Sequence, residues 1–299
     1  MQRRFLYIIN PISGTGNKGS IKEVIEEETR KAGFEFYIYP SVASADYSFL
    51  QPVIHERNIT DIVVAGGDGT INQVVNAFRN FDVQFGIIPS GSGNGLAFSA
   101  GIPKAAAKAL KIIFKGKSQP TDAFSINNQF ACMLCGLGLD AQVAHDFADA
   151  PKRGLLTYVK KTIANFLTAP AYRFTLNSKG KEISTDAFFI SIANSNQFGN
   201  NFTIAPKASL TDNLLDVVIM TKQTKMGVLF NTVKQISGYN QIKSFEMVNE
   251  HSGLIYFQTD EIKISNTDSA PMHIDGDPVE SVKKIHVKVL NDAFRLIYP

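Results

Sequence analysis

The stretch VVAGGDGTINQVVNAF, Val63–Phe78, places three glycines and one aspartate between an apolar run and an amphipathic one. The apolar run Ile62–Ala65 predicts a buried strand, and the spacing within Thr70–Arg79 predicts a helix. In a parallel sheet, such a loop lies at the carboxyl edge, where ligands bind. Glycine lets backbone N–H groups approach a phosphate closely. The stretch therefore predicts an α/β domain with an anion-binding loop.

Strands and helices alternate on both sides of this loop, which is typical of βαβ units and a parallel sheet. After Thr121 the pattern changes to short β-rich runs separated by turn dipeptides such as Asn127-Asn128. This change predicts an antiparallel sandwich or open barrel. We therefore expect an α/β domain over residues 1–121 and a β-rich domain over residues 122–289. A tail at about residues 290–299 is a candidate to pack back on the first domain.

Composition excludes some classes of protein. The chain of 299 residues carries a formal net charge of +3 without a block of Lys or Arg, which argues against a nucleic-acid partner. The apolar run after the first arginines ends at Asn10-Pro11, which is too short for a signal peptide. No run reaches the roughly 18 to 20 apolar residues of a spanning helix. We expect a cytoplasmic protein, either soluble or peripheral to the inner face of the membrane.

The two cysteines, Cys132 and Cys135, form a CxxC motif. Zinc would need further Cys or His ligands, and the five histidines are scattered. Redox CxxC pairs begin a helix, whereas FACMLCGLGL has the pattern of a buried strand. The motif therefore predicts buried packing residues.

Two other glycine-rich loops follow predicted strands, NPISGTG at Asn10–Gly16 and PSGSGNG at Pro89–Gly95. None of the loops is a Walker A loop, because the lysine is missing. The loop within Val63–Phe78 is not a dinucleotide fingerprint either, because Asn72 stands where the last glycine is required. Asp68 would repel a phosphate unless a cation intervened. The loops together predict a nucleotide site with magnesium bound directly or through water.

In order and spacing, these loops resemble the diacylglycerol-kinase catalytic family, which includes bacterial soluble lipid kinases and the sphingosine and ceramide kinases. The resemblance continues through GLGLDA (Gly136–Ala141), IAPKASLTDNLLDVVI (Ile204–Ile219) and IDGDPVE (Ile274–Glu280), so it covers essentially the whole chain. It implies a nucleotide-binding, three-layer α/β first domain, like that of NAD kinase and phosphofructokinase, and a lipid-binding, antiparallel β-sandwich-like second domain. It also implies an active site in the cleft between them.

The resemblance also implies roles for single residues. The implied nucleotide-binding residues are Asn10, Ser41, Gly66, Gly67, Asp68, Gly69, Thr70, Ile71, Asn72, Ser92 and Asn94. The alternative for Ser41 and Ser92 is turn chemistry, since serine is common in loops.

The implied catalytic residues are Asp275, Asp277 and Asp68, with Asp275 as the base that accepts the proton of the lipid hydroxyl. The alternative for Asp275 is a β-turn, because Asp-Gly is a common turn dipeptide. Asp277 stands where family members usually have glutamate, so its reach to a metal is one methylene shorter. A structural magnesium site is implied at the side chain of Asp212 with the carbonyls of Ser209 and Leu214.

The leading hypothesis is therefore a kinase that uses ATP and Mg²⁺ to phosphorylate a hydroxyl of diacylglycerol or a related lipid. One alternative is an NAD kinase, since that class also carries GGDGT. Another is a catalytically degenerate regulator, suggested by Gln73, Gly95 and Asp277. Many bacterial members carry aspartate in place of Gly95, which would be a possible partner for Asp68. A homodimer and a transient membrane contact remain open, and the basic helix Leu155–Leu167 fits either such a contact or core packing.

Overall fold

The chain passes twice between two units of structure. The computed structural model describes residues 2–11, 18–139, 141–142, 169–197, 203–243, 245, 248–249 and 252–299. One unit comprises Met1–Thr121 and Asp292–Pro299, and the other comprises Asp122–Asn291. The chain leaves the first unit within strand β5 (Ser118–Ile126) and returns to it within β15 (Lys284–Ile297).

Parallel strands form the sheet of the first unit. Their order is β2 (Glu35–Pro40), β1 (Arg4–Ile9), β3 (Asp61–Gly66) and β4 (Gln84–Pro89), and the end of β15 adds to β4 in parallel. Every residue of β3 is buried, which explains its continuous apolar run. The described helices of this unit are α1 (Lys18–Lys31), α2 (Gln51–Glu56), α3 (Asp68–Phe78), α4 (Gly95–Ser99) and α5 (Ala106–Lys115).

Helix α2 is shorter than the sequence pattern indicates, because the spacing of apolar residues predicts a helix over Asp46–Arg57. A 3₁₀ turn occupies Ser48–Leu50, and the α-helix begins only at Gln51, with a proline in its first turn. Leu50 is fully buried, whereas the side chain of Phe49 is 48% exposed. The apolar face of this segment is therefore only partly buried.

Antiparallel strands make up the second unit. Strand β9 (Lys181–Ala193) pairs with β8 (Tyr172–Ser178), β7 (Leu134–Gly138) and β10 (Leu215–Thr221). Four of its apolar residues enter one buried cluster, Ile183, Ala187, Ile190 and Ile192. Further described elements are β6 (Gln129–Ala131), helix α6 (Lys225–Ile236), β11 (Leu254–Thr259), β12 (Glu261–Asn266), β13 (Met272–Ile274) and β14 (Asp277–Val279). The predicted fold, a parallel α/β part followed by an antiparallel β part, is confirmed.

Two-residue turns connect several of these strands. Asn127-Asn128 joins β5 to β6, Lys179-Gly180 joins β8 to β9, and Asp275-Gly276 joins β13 to β14. Both residues of each turn have positive φ. That is the type I′ geometry, whose twist matches the twist of the flanking strands. The last of these turns carries the predicted catalytic aspartate.

Candidate functional site

The predicted nucleotide loops follow adjacent strands of the parallel sheet. Strands β1, β3 and β4 are neighbours. The backbone N–H of Asn10 donates to Ala65 O at 2.9 Å, and that of Ser90 donates to Gly66 O at 3.0 Å. The carboxyl ends of the three strands therefore lie side by side. Residues 12–17, which hold most of the first loop, lie outside the described residues.

The GGDGT and PSGSGN loops touch backbone to backbone. A Cβ atom built on Gly91 would overlap the Cα atom of Gly67, and a Cβ atom on Gly67 would lie 3.1 Å from the Cα atom of Gly91. A Cβ atom on Gly66 would lie 2.8 Å from the Cβ atom of Thr70. Only glycine allows approaches this close. The two loops are therefore in direct main-chain contact.

Asp68 joins the same two loops through its carboxylate. It lies in the first turn of α3. Its Oδ2 accepts a hydrogen bond from the backbone N–H of Gly95 at 3.0 Å, and its Oδ1 accepts one from Leu96 at 3.3 Å. These N–H groups begin α4 and have no partner within that helix. Gly95 thus supplies a partner for Asp68 through its backbone, and the magnesium role of Asp68 stays a prediction.

Two asparagines fix the loops from within. Asn10 Nδ2 donates to Thr70 Oγ1 at 2.6 Å. Asn94 is almost fully buried in a left-handed conformation, where its Oδ1 accepts from Gly91 N at 2.8 Å and its Nδ2 donates to Gly91 O at 2.9 Å. Both side chains therefore hold loop backbone in place, and their contact with nucleotide stays a prediction.

The other predicted nucleotide residues differ in exposure. The side chain of Ile71 is fully buried, so only its backbone could face a ligand. Ser92 is exposed, and Gly69 and Asn72 are half-buried in the first turns of α3. Ser41 lies beside the end of β1, since its backbone N–H donates to the last residue of that strand at 2.9 Å.

In the second unit, backbone amides bind the carboxylate of Asp275. This residue has a φ of 49° and a side chain that is only 6% exposed. Its Oδ1 accepts from the backbone N–H groups of Met133 and Leu134, both at 2.9 Å. Its Oδ2 accepts from the N–H of Cys132 at 3.0 Å and from its Sγ–H at 3.6 Å. Consecutive N–H groups that converge on one anion form a nest, which fixes the orientation of the carboxylate.

This nest interrupts a strand that the sequence predicts as continuous from Phe130 to Leu137. Strand β6 ends at Ala131 and β7 begins at Leu134, so Cys132 and Met133 form a bend. Their N–H groups turn to the carboxylate of the hairpin. Both cysteines of the CxxC motif are buried and free of a disulfide, which confirms the prediction of buried packing residues.

Asp277 has different surroundings from Asp275. It is the exposed first residue of β14 and lies opposite Ile274 in the hairpin. The two acids of IDGDP therefore divide into a buried carboxylate, held by amides, and an exposed one. This arrangement would suit a base at Asp275 and a metal ligand at Asp277, and both roles stay predictions.

Asn194 supports the nest and was missed in the sequence. It is fully buried. Its Nδ2 donates to Cys132 O at 3.1 Å and to Asp122 O at 2.8 Å, and its backbone N–H donates to Met133 O at 2.8 Å. The available signal was a run of polar residues, NSNQ, directly after the apolar end of β9.

Carboxylates gather around the predicted structural metal site. Asp212 Oδ1 accepts from Leu214 N at 3.1 Å, and Asp122 Oδ2 accepts from Asn213 N at 2.7 Å. Asn213 has a φ of 62°, a left-handed conformation that asparagine tolerates. Burial, and then the charge of Asp122, raises the pKa of Asp212. The Ser209–Leu214 loop thus holds partly uncompensated negative charge.

Asp216 lies next to this loop and is fully buried. It accepts hydrogen bonds from Tyr256 OH and, at 3.0 Å, from Gln258 Nε2. Burial raises the pKa of Asp216 to about 6, and the charge of Asp212 adds to this effect. The described residues include no group of three His, Cys, Asp or Glu side chains that could hold a metal. The predicted magnesium ligands are one carboxylate and two backbone carbonyls, so the absence of a three-side-chain group does not test this prediction. The negative charge of the neighbouring aspartates suits a cation.

The predicted basic helix Leu155–Leu167 lies outside the described residues. Within the described part of the chain, every helix is too short or too polar to cross a membrane.

Known families match both units of the chain. The diacylglycerol kinase catalytic domain matches residues 4–126, and the YegS C-terminal NAD kinase beta sandwich-like domain matches residues 134–298. The chain belongs to the family of the YegS C-terminal NAD kinase beta sandwich-like domain through residues 134–298, and its residues 4–126 carry the diacylglycerol kinase catalytic domain. The GGDGT and PSGSGN loops and β5 lie in the first match, and both the Asp275 hairpin and its nest residue Leu134 lie in the second.

Individual relatives of this kinase family match over most of their length. The diacylglycerol kinase of Bacillus subtilis (strain 168) is 25% identical over 281 residues, which cover 92% of this chain and 90% of the relative. The probable lipid kinase YegS-like of Shewanella frigidimarina is 26% identical, over 90% of this chain and 86% of the relative. A crystal structure of a diacylglycerol kinase from Bacillus anthracis str. Sterne superposes with a TM-score of 0.73 at 19% identity, over 99% of this chain and 97% of that one. At that identity the superposition shows the fold alone.

Proposed function

We propose that the protein is an ATP- and magnesium-dependent kinase that phosphorylates a hydroxyl of diacylglycerol or a related lipid. Related candidates are a monoacylglycerol, a sphingoid base and phosphatidylglycerol. The observation that carries the proposal is the backbone contact of Gly67 with Gly91, because it joins two glycine loops into one surface of main chain. Exposed N–H groups at the carboxyl edge of a parallel sheet suit a chain of phosphates.

Phosphoryl transfer requires mainly positioning and stabilisation of charge. In this proposal the N–H groups of the two loops hold the phosphates, and Asp68 keeps the loops together. Asp275 orients the lipid hydroxyl and accepts its proton while the hydroxyl oxygen bonds to the γ-phosphorus and the bond to the ADP oxygen breaks. Magnesium, held by Asp68 or Asp277, would supply the positive charge that a lysine provides in Walker loops.

One assay tests the proposal against both alternatives. The purified protein is incubated with labelled ATP, Mg²⁺ and a panel of diacylglycerol, monoacylglycerol, sphingoid bases, ceramide, phosphatidylglycerol and NAD. We expect label in one lipid class. Label in NAD would show an NAD kinase, an alternative favoured by the NAD kinase-like description of the second match. No label in any acceptor, with ATP still bound, would show a degenerate regulator.

The structural magnesium site gives a prediction about stability. Without nucleotide, millimolar MgCl₂ should raise the midpoint of thermal unfolding by about 3 °C, since a ligand that binds only the folded state stabilises it. Asp212→Asn should abolish this increase, because it removes the one predicted ligand that carries a full charge. The measurement is differential scanning fluorimetry with and without the ion.

Asp260→Asn is the matched control. Asp260 is exposed in the turn between β11 and β12, so its variant should respond to MgCl₂ as the wild type does. An equal response of the Asp212 variant would place the ion elsewhere.

A further inference from the structure

Helix α6 exposes three of its large apolar side chains. Met226, Phe230 and Val233 are 73%, 68% and 56% exposed. At about 100° per residue they form one stripe roughly 60° wide. A surface helix ordinarily turns such a stripe to the core. We call these three residues the α6 stripe.

The opposite side of α6 holds the helix to its unit with polar side chains. Val228 and Gln235 are buried there. Gln235 Nε2 donates to Ile204 O at 2.7 Å, and Asn231 Nδ2 donates to Gln223 Oε1 at 2.9 Å. The hydrogen bonds therefore fix the outward direction of the stripe. The three apolar residues of the stripe do not contribute to the contacts that hold the helix in place.

The sequence that contains the stripe is basic. Residues 217–245 contain four lysines and no Asp or Glu, a local charge of +4, against +3 for the whole chain. Three of these lysines, Lys222, Lys234 and Lys243, are exposed. Tyr239, just beyond the helix, is 75% exposed. An outward apolar stripe flanked by lysines and an aromatic residue is the pattern of a helix that lies in the interface of a bilayer.

We propose that the α6 stripe, with Tyr239, docks on an anionic lipid bilayer. The apolar side chains enter the boundary between headgroups and acyl chains, and the lysines contact lipid phosphates. A second copy of the chain is a poorer occupant, because a two-fold contact would bring the same lysines face to face. The proposal rests on the proposed function for its purpose, since a kinase that acts on membrane lipid must reach the lipid layer. Bilayer binding itself is testable without turnover.

The test is co-sedimentation with phosphatidylcholine vesicles, with and without phosphatidylglycerol, in the absence of ATP. We expect the wild type to bind the anionic vesicles and to be released by high salt. Phe230→Glu and, separately, Met226→Glu should each lower the partition coefficient about tenfold or more, because burial of such a side chain contributes that much to binding. Phe49→Glu is the matched control and should bind as the wild type does, since Phe49 is an exposed apolar residue of the first unit.

Unchanged binding of both stripe variants, or no binding of the wild type to anionic vesicles, would overturn the proposal. So would a wild-type dimer in analytical ultracentrifugation that becomes monomeric in Phe230→Glu without any vesicle binding, since the stripe would then be an interface between copies. Thermal unfolding should show intact folding of the variants, because the replaced side chains are exposed. Phosphorylation of a short-chain diacylglycerol dissolved as monomers should be equal in wild type and variants. That second readout reports the proposed function separately.

Discussion

Asp275→Asn is expected to lower lipid phosphorylation by about a hundredfold or more while ATP still binds. A base positioned at the reacting hydroxyl contributes effects of that size. The variant should also lose about 2–3 kcal/mol of unfolding free energy. The carboxylate accepts from three backbone N–H groups, and an asparagine has only one oxygen to offer them, so its NH₂ group would face a donor. The predicted ATP-binding residues belong to the other unit and should be unaffected.

The measurements are the turnover number well below the unfolding midpoint, ATP affinity by calorimetry, and stability by urea denaturation. Asp277→Asn is the comparison for stability, because Asp277 is exposed, and its unfolding free energy should change by less than about 0.5 kcal/mol. A near-normal turnover number in Asp275→Asn, together with reduced stability, would limit this aspartate to holding the bend at Cys132 and Met133. Lost ATP binding would instead show that the substitution disturbs more than the second unit.

The turn at Asp275-Gly276 could be predicted from the sequence, whereas its environment could not. Asp-Gly is a strong local signal for a type I′ turn. The amides that bind the carboxylate lie 141 to 143 positions earlier in the chain. These amides also lie inside an apolar run. The interruption of the strand there is not visible in the sequence, because the residues on both sides of it are equally apolar. From the sequence, Asp275 could be either a turn residue or the catalytic base. The structure shows that Asp275 lies in a turn, and its role as a base stays a prediction.

The glycine loops show the same limit. Their common edge follows from the alternation of strands and helices, because parallel strands bring their carboxyl ends together. The role of Asp68 does not follow. From the sequence, an acid beside a phosphate required a cation. The structure adds two backbone donors, Gly95 and Leu96, because the beginning of α4 lies beside the beginning of α3.

Helix α6 is a third case, in which the element was predictable and its orientation was not. The spacing of apolar residues in Met226–Ile236 indicates a helix, and the usual inference turns the apolar side inward. In the structure, hydrogen bonds of Gln235 and Asn231 hold the opposite side of the helix against its unit, so the α6 stripe faces outward. The sequence instead drew attention to Leu155–Leu167, whose basic residues fit either a membrane contact or core packing.

Gly91→Ala is expected to weaken ATP binding about ten- to a hundredfold. The new methyl group would overlap the Cα atom of Gly67 and lie 3.1 Å from Asn94 Oδ1. Because the obstacle is backbone, no side chain can rotate away, and the two loops must separate. Overpacking of this kind costs about 1–3 kcal/mol, and separation of the loops also displaces the N–H groups that would hold the phosphates. The measurement is the dissociation constant for ATP by calorimetry.

Gly33→Ala separates this local effect from a general loss of stability. Gly33 has a φ of 75° and would meet no atom within 4 Å of an added Cβ, so alanine there introduces backbone strain without a clash. This variant should lose about 1 kcal/mol of stability and bind ATP with wild-type affinity. If Gly91→Ala also binds ATP normally, the joined loops do not hold the phosphates, and the nucleotide site must be sought elsewhere. If both variants lose affinity equally, stability rather than loop geometry governs binding, because only Gly91 lies in a loop that the change would push apart.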